Sequence, residues 1–430
     1  MVYKAENGGI FLEWIEVSGG RPLNGVLKVQ GSKNAALPIL AGSLLHKGRT
    51  ILHHCPRIQD VDSMVAILRD LGCEVTWEAD SLTIDAGNLC SFYVPHQWGE
   101  KMRSSVILLG SLLGRLGKAN LPYPGGCTIG ERPIDIHLAA LGEMGVRITS
   151  KEHRFEAAAE ELTGKRLRLR FPSVGATENV ILAAVLAKGR TILENGAREP
   201  EIEELLRFLK GKGARIEEKE GVYVIDGVEE LSDSEFCLVS DRIVAGTYLF
   251  AAAATRGAIC LEDAPVRHMT AVLDALRRMG AVIRIGGGTI LMDGRKAGMP
   301  IPYLKTEPYP GFPTDLQSPL LAALAVAEGE SCVEETIFEA RFHVVRHLNR
   351  MGADIRVDGN RASLKGVGKI HGTYVKAEEL RGGAALLVAA LAAEGTTLLE
   401  EPGYIRRGYE DIFADFRRLG ASIRHHQYGG

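Results

Sequence analysis

The sequence has little of what marks several large classes of protein. Its seven cysteines are odd in number and form no CxxC pair, so neither a zinc site nor a disulfide framework is indicated. The 51 lysines and arginines are balanced by 54 acidic residues, so there is no general basic surface for nucleic acid or an anionic membrane. No apolar run approaches the roughly 20 residues of a membrane helix, and the first residues, MVYKAENGG, lack an apolar signal core. We therefore expect a cytoplasmic protein with no nucleic-acid or membrane partner.

What is present is the composition of a globular chain. Of its 430 residues, 46% are hydrophobic and 24% are charged, which predicts two or three folded domains. Most cysteines lie in apolar strings, such as GAICL around Cys260, and we expect these thiols to be buried.

Two short phrases alternate along the chain. In the first, a helical string ends at a glycine and is followed by residues that suit a strand, as in LRRMGAVIRI. In the second, a string of small apolar residues ends in the same way, as in LAKGRTIL. Each phrase returns after roughly seventy residues, which indicates six repeats. The marker glycines are Gly72, Gly145, Gly213, Gly280, Gly352 and Gly420 for the first phrase, and Gly48, Gly117, Gly189, Gly257, Gly329 and Gly395 for the second.

Each repeat therefore consists of a helix, a strand, a second helix and further strand. A glycine after the last helical position relieves the strain of a left-handed helix end. The helices before the second marker are apolar nearly all round and should be buried, whereas those before the first have a polar face and should be exposed. We predict an α/β fold in which each set of three repeats closes around its own helices, with a boundary near 232–243.

Polar residues, most of them ionisable, recur where the apolar helices begin. Lys33 follows GS in GSKNAALPIL, and Arg103, Ser173, Asp315 and Arg381 take similar positions in later repeats. The start of a helix offers free N–H groups and attracts anions, so these positions could form a common binding surface. Taken singly, each is also explained as a capping or solvated residue.

The segment YPGGCTIGERPIDIH places a thiol among loop residues. Cys127 lies after two glycines, and Arg132, Asp135 and His137 follow. A loop cysteine flanked by basic residues can act as a nucleophile or general acid, with His137 as a weak candidate partner. An ordinary glycine turn is the alternative. Arg341, Arg406 and Arg407, also at helix starts, would complete an anion-binding cleft if they met the other cations.

Eight of these segments together resemble the enolpyruvyl transferase family, and within it the UDP-N-acetylglucosamine 1-carboxyvinyltransferases. They occur in that family's order over nearly the whole chain: GSKNAALPIL, MRSSVILLG, PGGCTIGERPIDIHL, SVGATEN, YPGFPTDLQSP, ARFHVVRHLNRMGA, LRGGAALL and RRGYEDI. The resemblance implies two inside-out α/β barrel domains, each of three repeats of about 70 residues. Residues 33–240 would form one domain and residues 1–32 with 241–430 the other, with the active site between them.

The implied reaction moves the enolpyruvyl group of phosphoenolpyruvate to the 3'-hydroxyl of UDP-N-acetylglucosamine and releases phosphate. It would run by addition and elimination through a tetrahedral ketal, as the first committed step of peptidoglycan synthesis. The resemblance implies no metal and no cofactor. The two substrates are the expected partners, and the residues predict no oligomeric state.

The resemblance also assigns roles. Cys127 would be the general acid or a covalent nucleophile, Asp315 the candidate base, and Arg341 a supporting residue. Groups binding phosphoenolpyruvate would be Lys33, Asn34, Arg132, Arg381 and Arg407, of which Lys33 and Arg407 are also catalytic candidates. The nucleotide sugar would contact Arg103, Arg132, Pro133, Ile134, Asp135, Ile136, Ser173, Val174, Gly175, Asp315 and Ile337.

Three features depart from the family pattern. Arg406 stands where an acidic residue often does, LRGG replaces the common LRAS, and the segment before Val17 is longer than usual. They leave open a relative that acts on another nucleotide sugar or on a nucleoside. The sister enzyme for shikimate 3-phosphate is a further alternative, although its second lysine after GSK and its GNAGT phrase are absent. The last alternative is a non-catalytic repeat protein that acts by binding. In that case Cys127→Ala and Asp315→Ala would cause no loss of function.

Overall fold

The structure, a computed structural model, describes residues 13–123 and 134–427, except for the side chains of 99–101. Helices and strands alternate over these residues. The helices are α1 Lys33–Ser43, α2 Gln59–Asp70, α3 His96–Lys101, α4 Leu108–Leu116, α5 Asp135–Glu143, α6 Val174–Ala184, α7 Pro200–Gly211, α8 Arg242–Ala254, α9 Thr270–Arg278, α10 Gln317–Ala325, α11 Val345–Arg350, α12 Leu380–Ala392 and α13 Ile412–Arg418. Short 3-10 turns precede α4, α9, α10, α11 and α13: Arg103–Ile107, Val266–His268, Thr314–Leu316, Arg341–Val344 and Pro402–Arg407.

The strands are short and evenly distributed, as the repeats predict. They are β1 Glu13–Ser18, β2 Asn24–Lys28, β3 Arg49–His53, β4 Glu74–Glu78, β5 Ser81–Asp85, β6 Lys118–Pro122, β7 Arg147–Ser150, β8 Arg154–Ala158, β9 Arg166–Arg168, β10 Arg190–Glu194, β11 Arg215–Lys219, β12 Val222–Asp226, β13 Ser234–Cys237, β14 Ala258–Glu262, β15 Val282–Gly286, β16 Thr289–Asp293, β17 Leu304–Lys305, β18 Glu328–Glu334, β19 Asp354–Asp358, β20 Arg361–Val367, β21 Tyr374–Lys376, β22 Thr396–Glu400 and β23 Ser422–Gln427.

Within the described residues, each repeat contributes one small sheet. The strand orders are β13-β3-β5-β4, β6-β8-β7, β11-β12-β10-β9, β15-β16-β14-β2, β17-β18-β20-β19 and β21-β22-β1-β23. In the last sheet the central strand comes from the start of the described chain, because Trp14 of β1 lies opposite Glu400 of β22 and His426 of β23. Strand β2 likewise pairs in parallel with β14 of the fourth repeat.

Buried apolar side chains form two separate clusters. One lies between Ala35 and Leu238, and the other joins 15–29 to 243–423. The helices that we expected to be buried are so, since α8 and α12 bury nearly every residue and contact α10 as well as each other. The domain limits, 33–240 and 1–32 with 241–430, stay a prediction.

The marker glycines confirm most of the helix ends. The first set has φ between +93° and +105°, as at Gly72 and Gly420, which only glycine adopts without strain. In the second set Gly117 caps α4, but the prediction is wrong for the other five glycines, which lie two or more residues beyond a helix C-cap. Gly48 and Gly257 also have no positive φ. At Gly257 an added Cβ would collide with the carbonyl oxygen of Leu23, so glycine is needed there because two backbones approach closely.

The expectation that most cysteines are buried is wrong for the part of the chain that the structure describes. Cys55 and Cys73 are buried, and burial raises the pKa of each thiol to about 12. Cys90 and Cys237 are exposed, and Cys260 and Cys332 are half-buried. Cys260 lies on β14, where alternate side chains turn away from the core, so an apolar string does not guarantee burial.

Candidate active site

A cavity of about 530 Å³ is lined on one side by residues 33–201 and on the other by residues 242–407. The structure brings together here most of the described residues that the sequence singled out. Those lining the cavity are Lys33, Asn34, Arg103, Ser173, Val174, Gly175, Asp315, Ile337, Arg341, Arg381 and Arg407. Cys127, Arg132 and Pro133 lie outside the described residues.

Three predicted site residues lie elsewhere. Ile134 is the N-cap of α5, and Asp135 and Ile136 are its first two residues, but none of the three lines the cavity. The Asp135 carboxylate pairs instead with Arg170, which follows β9. His137 does reach the cavity wall, where its Nδ1 lies 2.9 Å from Nδ2 of Asn179.

Helix caps set the direction of the functional side chains. Ser32 caps α1 by accepting a hydrogen bond from the Ala35 amide at 3.3 Å, which places Lys33 in the first turn. The Lys33 amide donates to Oδ2 of Asp241 at 3.0 Å, and Asp241 is itself the cap of α8. Two helix starts from different repeats are thereby joined at the cavity.

A first charge cluster is centred on Asp60. Its carboxylate accepts from Nζ of Lys33 at 2.8 Å and from Nε and Nη2 of Arg407 at 2.9 and 3.2 Å. Asp60 is 3% exposed and Lys33 9%. Burial alone would raise the pKa of Asp60, but Lys33 and Arg407 outweigh it and hold the pKa below its ordinary value. Burial lowers the pKa of Lys33, and the Asp60 charge offsets only part of that effect.

A second cluster is centred on Asp315. Arg341 donates to Oδ1 at 2.7 Å, and Arg381 donates to Oδ2 from Nη2 at 2.9 Å and Nε at 3.2 Å. Burial would raise the pKa of the Asp315 carboxyl, but Arg381, Arg341 and Lys33 hold it well below its usual range. Nη1 of Arg381 and Nε of Arg341 are buried and have no hydrogen-bond partner among the described residues.

A third cluster is rich in carboxyl groups. Glu178, Glu199 and Glu201 line the cavity together with Arg242, which pairs with Glu201 at 3.2 Å. Burial, followed by the charges of Glu201 and Glu199, raises the pKa of Glu178 well above its ordinary value. The pKa of Glu199 is also raised by burial and by Glu201, although the Tyr309 amide donates to it at 3.3 Å.

Several of these residues were missed from the sequence. Sequence analysis did not select Asp60, Glu199, Glu201 or Arg242. Asp60 and Glu201 give little signal by themselves, because an acid in the first turn of a helix normally serves the helix dipole. Asp60 and Glu201 take similar places in the first turns of α2 and α7. A comparison of those first turns between repeats is the signal that could have found them.

The arrangement is suited to a small anion with several oxygens. Lys33, Arg341, Arg381 and Arg407 bring positive charge to one cavity, and forked guanidinium donors match phosphate and carboxylate groups. Among the described residues, no group of three or more His, Cys, Asp or Glu side chains is placed to hold a metal ion. No described helix is both long and apolar enough to cross a membrane.

The fold is that of the enolpyruvyl transferases. The enolpyruvyl transferase NikO from Streptomyces tendae superposes with a TM-score of 0.87 at 25% identity, covering 97% of this chain and 100% of that chain. An EPSP synthase from Acinetobacter baumannii superposes with a TM-score of 0.72 at 20% identity, over 96% of this chain and 100% of that one. The predicted inside-out α/β fold is confirmed by this likeness.

The family model for EPSP synthase (3-phosphoshikimate 1-carboxyvinyltransferase) matches residues 17–416, and the chain belongs to this family. It is an enzyme that transfers enolpyruvyl groups, as the sequence predicted. A UDP-N-acetylglucosamine 1-carboxyvinyltransferase 2 from Caldanaerobacter subterraneus subsp. tengcongensis is 44% identical over 409 residues, 95% of this chain and 98% of the relative. A UDP-N-acetylglucosamine 1-carboxyvinyltransferase from Cellvibrio japonicus is 43% identical over 411 residues, with the same shares of the two chains.

Proposed function

We propose that this chain transfers the enolpyruvyl group of phosphoenolpyruvate to the 3'-hydroxyl of UDP-N-acetylglucosamine. The observation that supports this most is one cavity with two carboxylates, Asp60 and Asp315, each held by two cationic side chains. The names of relatives that are 43–44% identical support the acceptor. The reaction would be the first committed step of peptidoglycan synthesis and would take place in the cytoplasm.

Phosphoenolpyruvate would bind between the two charge clusters. Its phosphate and carboxylate carry negative charge, which Lys33, Arg381 and Arg407 are placed to neutralise, with Asn34 beside them. Arg132, outside the described residues, is a further candidate by resemblance. Because these cations are already held in place by Asp60 and Asp315, little reorganisation is needed when the anion arrives.

Asp315 is the candidate base, and its basicity would depend on the bound anion. While Arg341 and Arg381 both donate to it, its pKa lies too low for it to accept a proton readily. A phosphoenolpyruvate oxygen that engages Arg381, whose Nη1 has no partner among the described residues, would weaken that hold and raise the pKa of Asp315. The carboxylate becomes a useful base only when substrate is present.

The proposed steps balance as an addition followed by an elimination. C3 of phosphoenolpyruvate gains a proton from a general acid, for which Cys127 is the candidate by resemblance. C2 gains the sugar oxygen, and Asp315 accepts the hydroxyl proton. In the elimination, C3 returns a proton to the conjugate base of the general acid and the double bond between C2 and C3 forms again. The bond from C2 to the phosphate oxygen breaks, and phosphate leaves with that electron pair. Each step requires a positioned proton donor or acceptor.

The nucleotide sugar would bind another part of the same cavity. Arg103, Ser173, Val174, Gly175 and Ile337 line it and are our candidate contacts. Ile134, Asp135, Ile136 and Pro133 remain candidates by resemblance alone.

The test is phosphate release with phosphoenolpyruvate and UDP-N-acetylglucosamine together, and with each alone. We expect release only with both, and a sugar nucleotide heavier by one enolpyruvyl group in mass spectrometry. Cys127→Ala and Asp315→Asn should each lower turnover on the order of 100-fold or more. Asp274→Asn, an exposed aspartate paired with Arg277 on α9, is the matched control and should not. Folded protein that releases no phosphate from this pair would refute the proposed acceptor, and shikimate 3-phosphate and nucleosides would then be tried in its place.

A further inference from the structure

A further group of charged residues, outside the cavity lining, includes Arg406, the neighbour of Arg407 in the sequence. Arg406 and Arg407 are consecutive in the Pro402–Arg407 turn, but they bind partners on different elements. Arg407 reaches Asp60 on α2, whereas Arg406 binds Glu13 on β1, with Nη1 2.9 Å from Oε2 and Nη2 against Oε1. Nε2 of His425 on β23 lies 2.5 Å from the same Oε1. We call Glu13, Arg406 and His425 the β1 clamp.

Arg407 is the most exposed of the four cations that hold Asp60 and Asp315. Its side chain is 32% exposed, whereas the side chains of Lys33 and Arg381 are buried. The turn itself is held on its inner side, where Ile405 is buried and an added Cβ on Gly383 would lie 2.9 Å from its Cγ1. On its outer side the β1 clamp ties the turn to the central strand of the sixth sheet.

The clamp is better suited to positioning than to stability. The side chains of Arg406 and Glu13 are 36% and 24% exposed, and an ion pair so accessible to water contributes little to folding. It does, however, fix the residue next to Arg407. Two of the departures from the family pattern, Arg406 and the segment before Val17, meet in this one pair.

We propose that the β1 clamp positions Arg407 for the phosphate or carboxylate of phosphoenolpyruvate. Glu13 and Arg406 act as positioning residues, and they touch neither substrate. The proposal rests on the proposed function, because Arg407 is a contact to phosphoenolpyruvate only in that reaction. It predicts that loss of the clamp weakens phosphoenolpyruvate binding more than it slows the chemical steps.

The test compares Arg406→Gln, Glu13→Gln and the double variant in steady-state kinetics. We expect each to raise KM for phosphoenolpyruvate about tenfold, with kcat and the KM for UDP-N-acetylglucosamine nearly unchanged. The double variant should show the same rise as either single one, because both remove one interaction. Arg406→Lys should keep most of the wild-type affinity. Arg424→Gln is the matched control, since Arg424 pairs with Glu16 at 3.5 Å on the same sheet.

Hydrogen exchange of the Pro402–Arg407 amides without substrate gives an independent measurement. We expect faster exchange in Arg406→Gln and in Glu13→Gln, but not in Arg424→Gln. The proposal would be overturned if Arg406→Gln and Glu13→Gln had the same KM for phosphoenolpyruvate and the same amide exchange rates as the wild-type protein. It would also be overturned if Arg424→Gln changed them as much as the two clamp variants do. If the wild-type protein does not turn over the substrate pair and exchange still rises in the clamp variants, the proposed function fails and the structural clamp stands.

Discussion

Asp60 offers the sharpest test of the cavity's electrostatics. In Asp60→Asn the amide keeps the shape of the side chain but removes the negative charge that faces Lys33 and Arg407. Lys33 then remains buried, with the positive charges of Arg381 and Arg407 nearby. We expect the variant to fold with a lower free energy of unfolding and a changed dependence on pH.

The size of the loss follows from the burial of the pair. Removing one partner of a buried ion pair costs about 3–5 kcal/mol, because the other charge stays desolvated and unpaired. Water screens the contact with Arg407, whose side chain is one-third exposed, so we expect the lower end, about 3 kcal/mol.

The sign of the pH effect follows from Lys33. Burial already holds its pKa below 10.5, and loss of the Asp60 charge lowers that pKa further. Between the folded pKa and 10.5 the unfolded chain binds more protons, so stability rises with pH in that window. The deficit of Asp60→Asn relative to the wild-type protein should therefore shrink as the pH is raised from 7 towards 10.

Urea unfolding of the wild-type and variant proteins across this pH range provides the measurement. Asp62→Asn, an exposed aspartate on the same helix, is the control and should change stability little. A loss no larger than that of the control, or a deficit that does not change with pH, would refute the reasoning.

Three further predictions concern other parts of the molecule. Asp315→Asn should lower kcat on the order of 100-fold or more through loss of the base, and steady-state kinetics that change less than threefold would contradict this role. In the wild-type protein, the raised pKa of Glu178 means that the folded state binds one more proton than the unfolded state between pH 4.5 and that pKa, so stability falls as the pH rises. Glu178→Gln should make this fall smaller. The prediction would be wrong if the melting temperatures of the wild-type and variant proteins changed in parallel from pH 5 to 9. Gly110→Ala should cost about 1–3 kcal/mol in chemical unfolding, because its Cβ would strike the Asn179 carbonyl oxygen, whereas Gly142→Ala meets no atom within 4 Å and should not.

Much of the fold could be predicted because its signals are local. The end of a helix depends on a few neighbouring residues, so Gly72 and Gly420 marked repeat boundaries without knowledge of the tertiary structure. The uniform apolar character of α8 and α12 similarly predicted their burial. Gly257 shows the limit, since its requirement for glycine comes from Leu23, which is far away in the sequence.

The candidate site also has a part that the sequence predicts and a part that it does not. Lys33, Asp315 and Arg381 could be chosen from the sequence because each lies near the start of an apolar helix, where anions bind. Which charges pair with one another could not be predicted. Asp60 and Arg407 are separated by 347 residues, and Glu13 and Arg406 by 393.

The sequence by itself therefore determined the repeats, the buried helices and most of the cations at their starts. Only the tertiary structure decided which charges meet, and with them the lowered pKa of Asp315 and the raised pKa of Glu178. The physical reason is that helix ends and apolar faces are properties of short segments. Ion pairs and their desolvation depend instead on the distances between segments that only folding brings together.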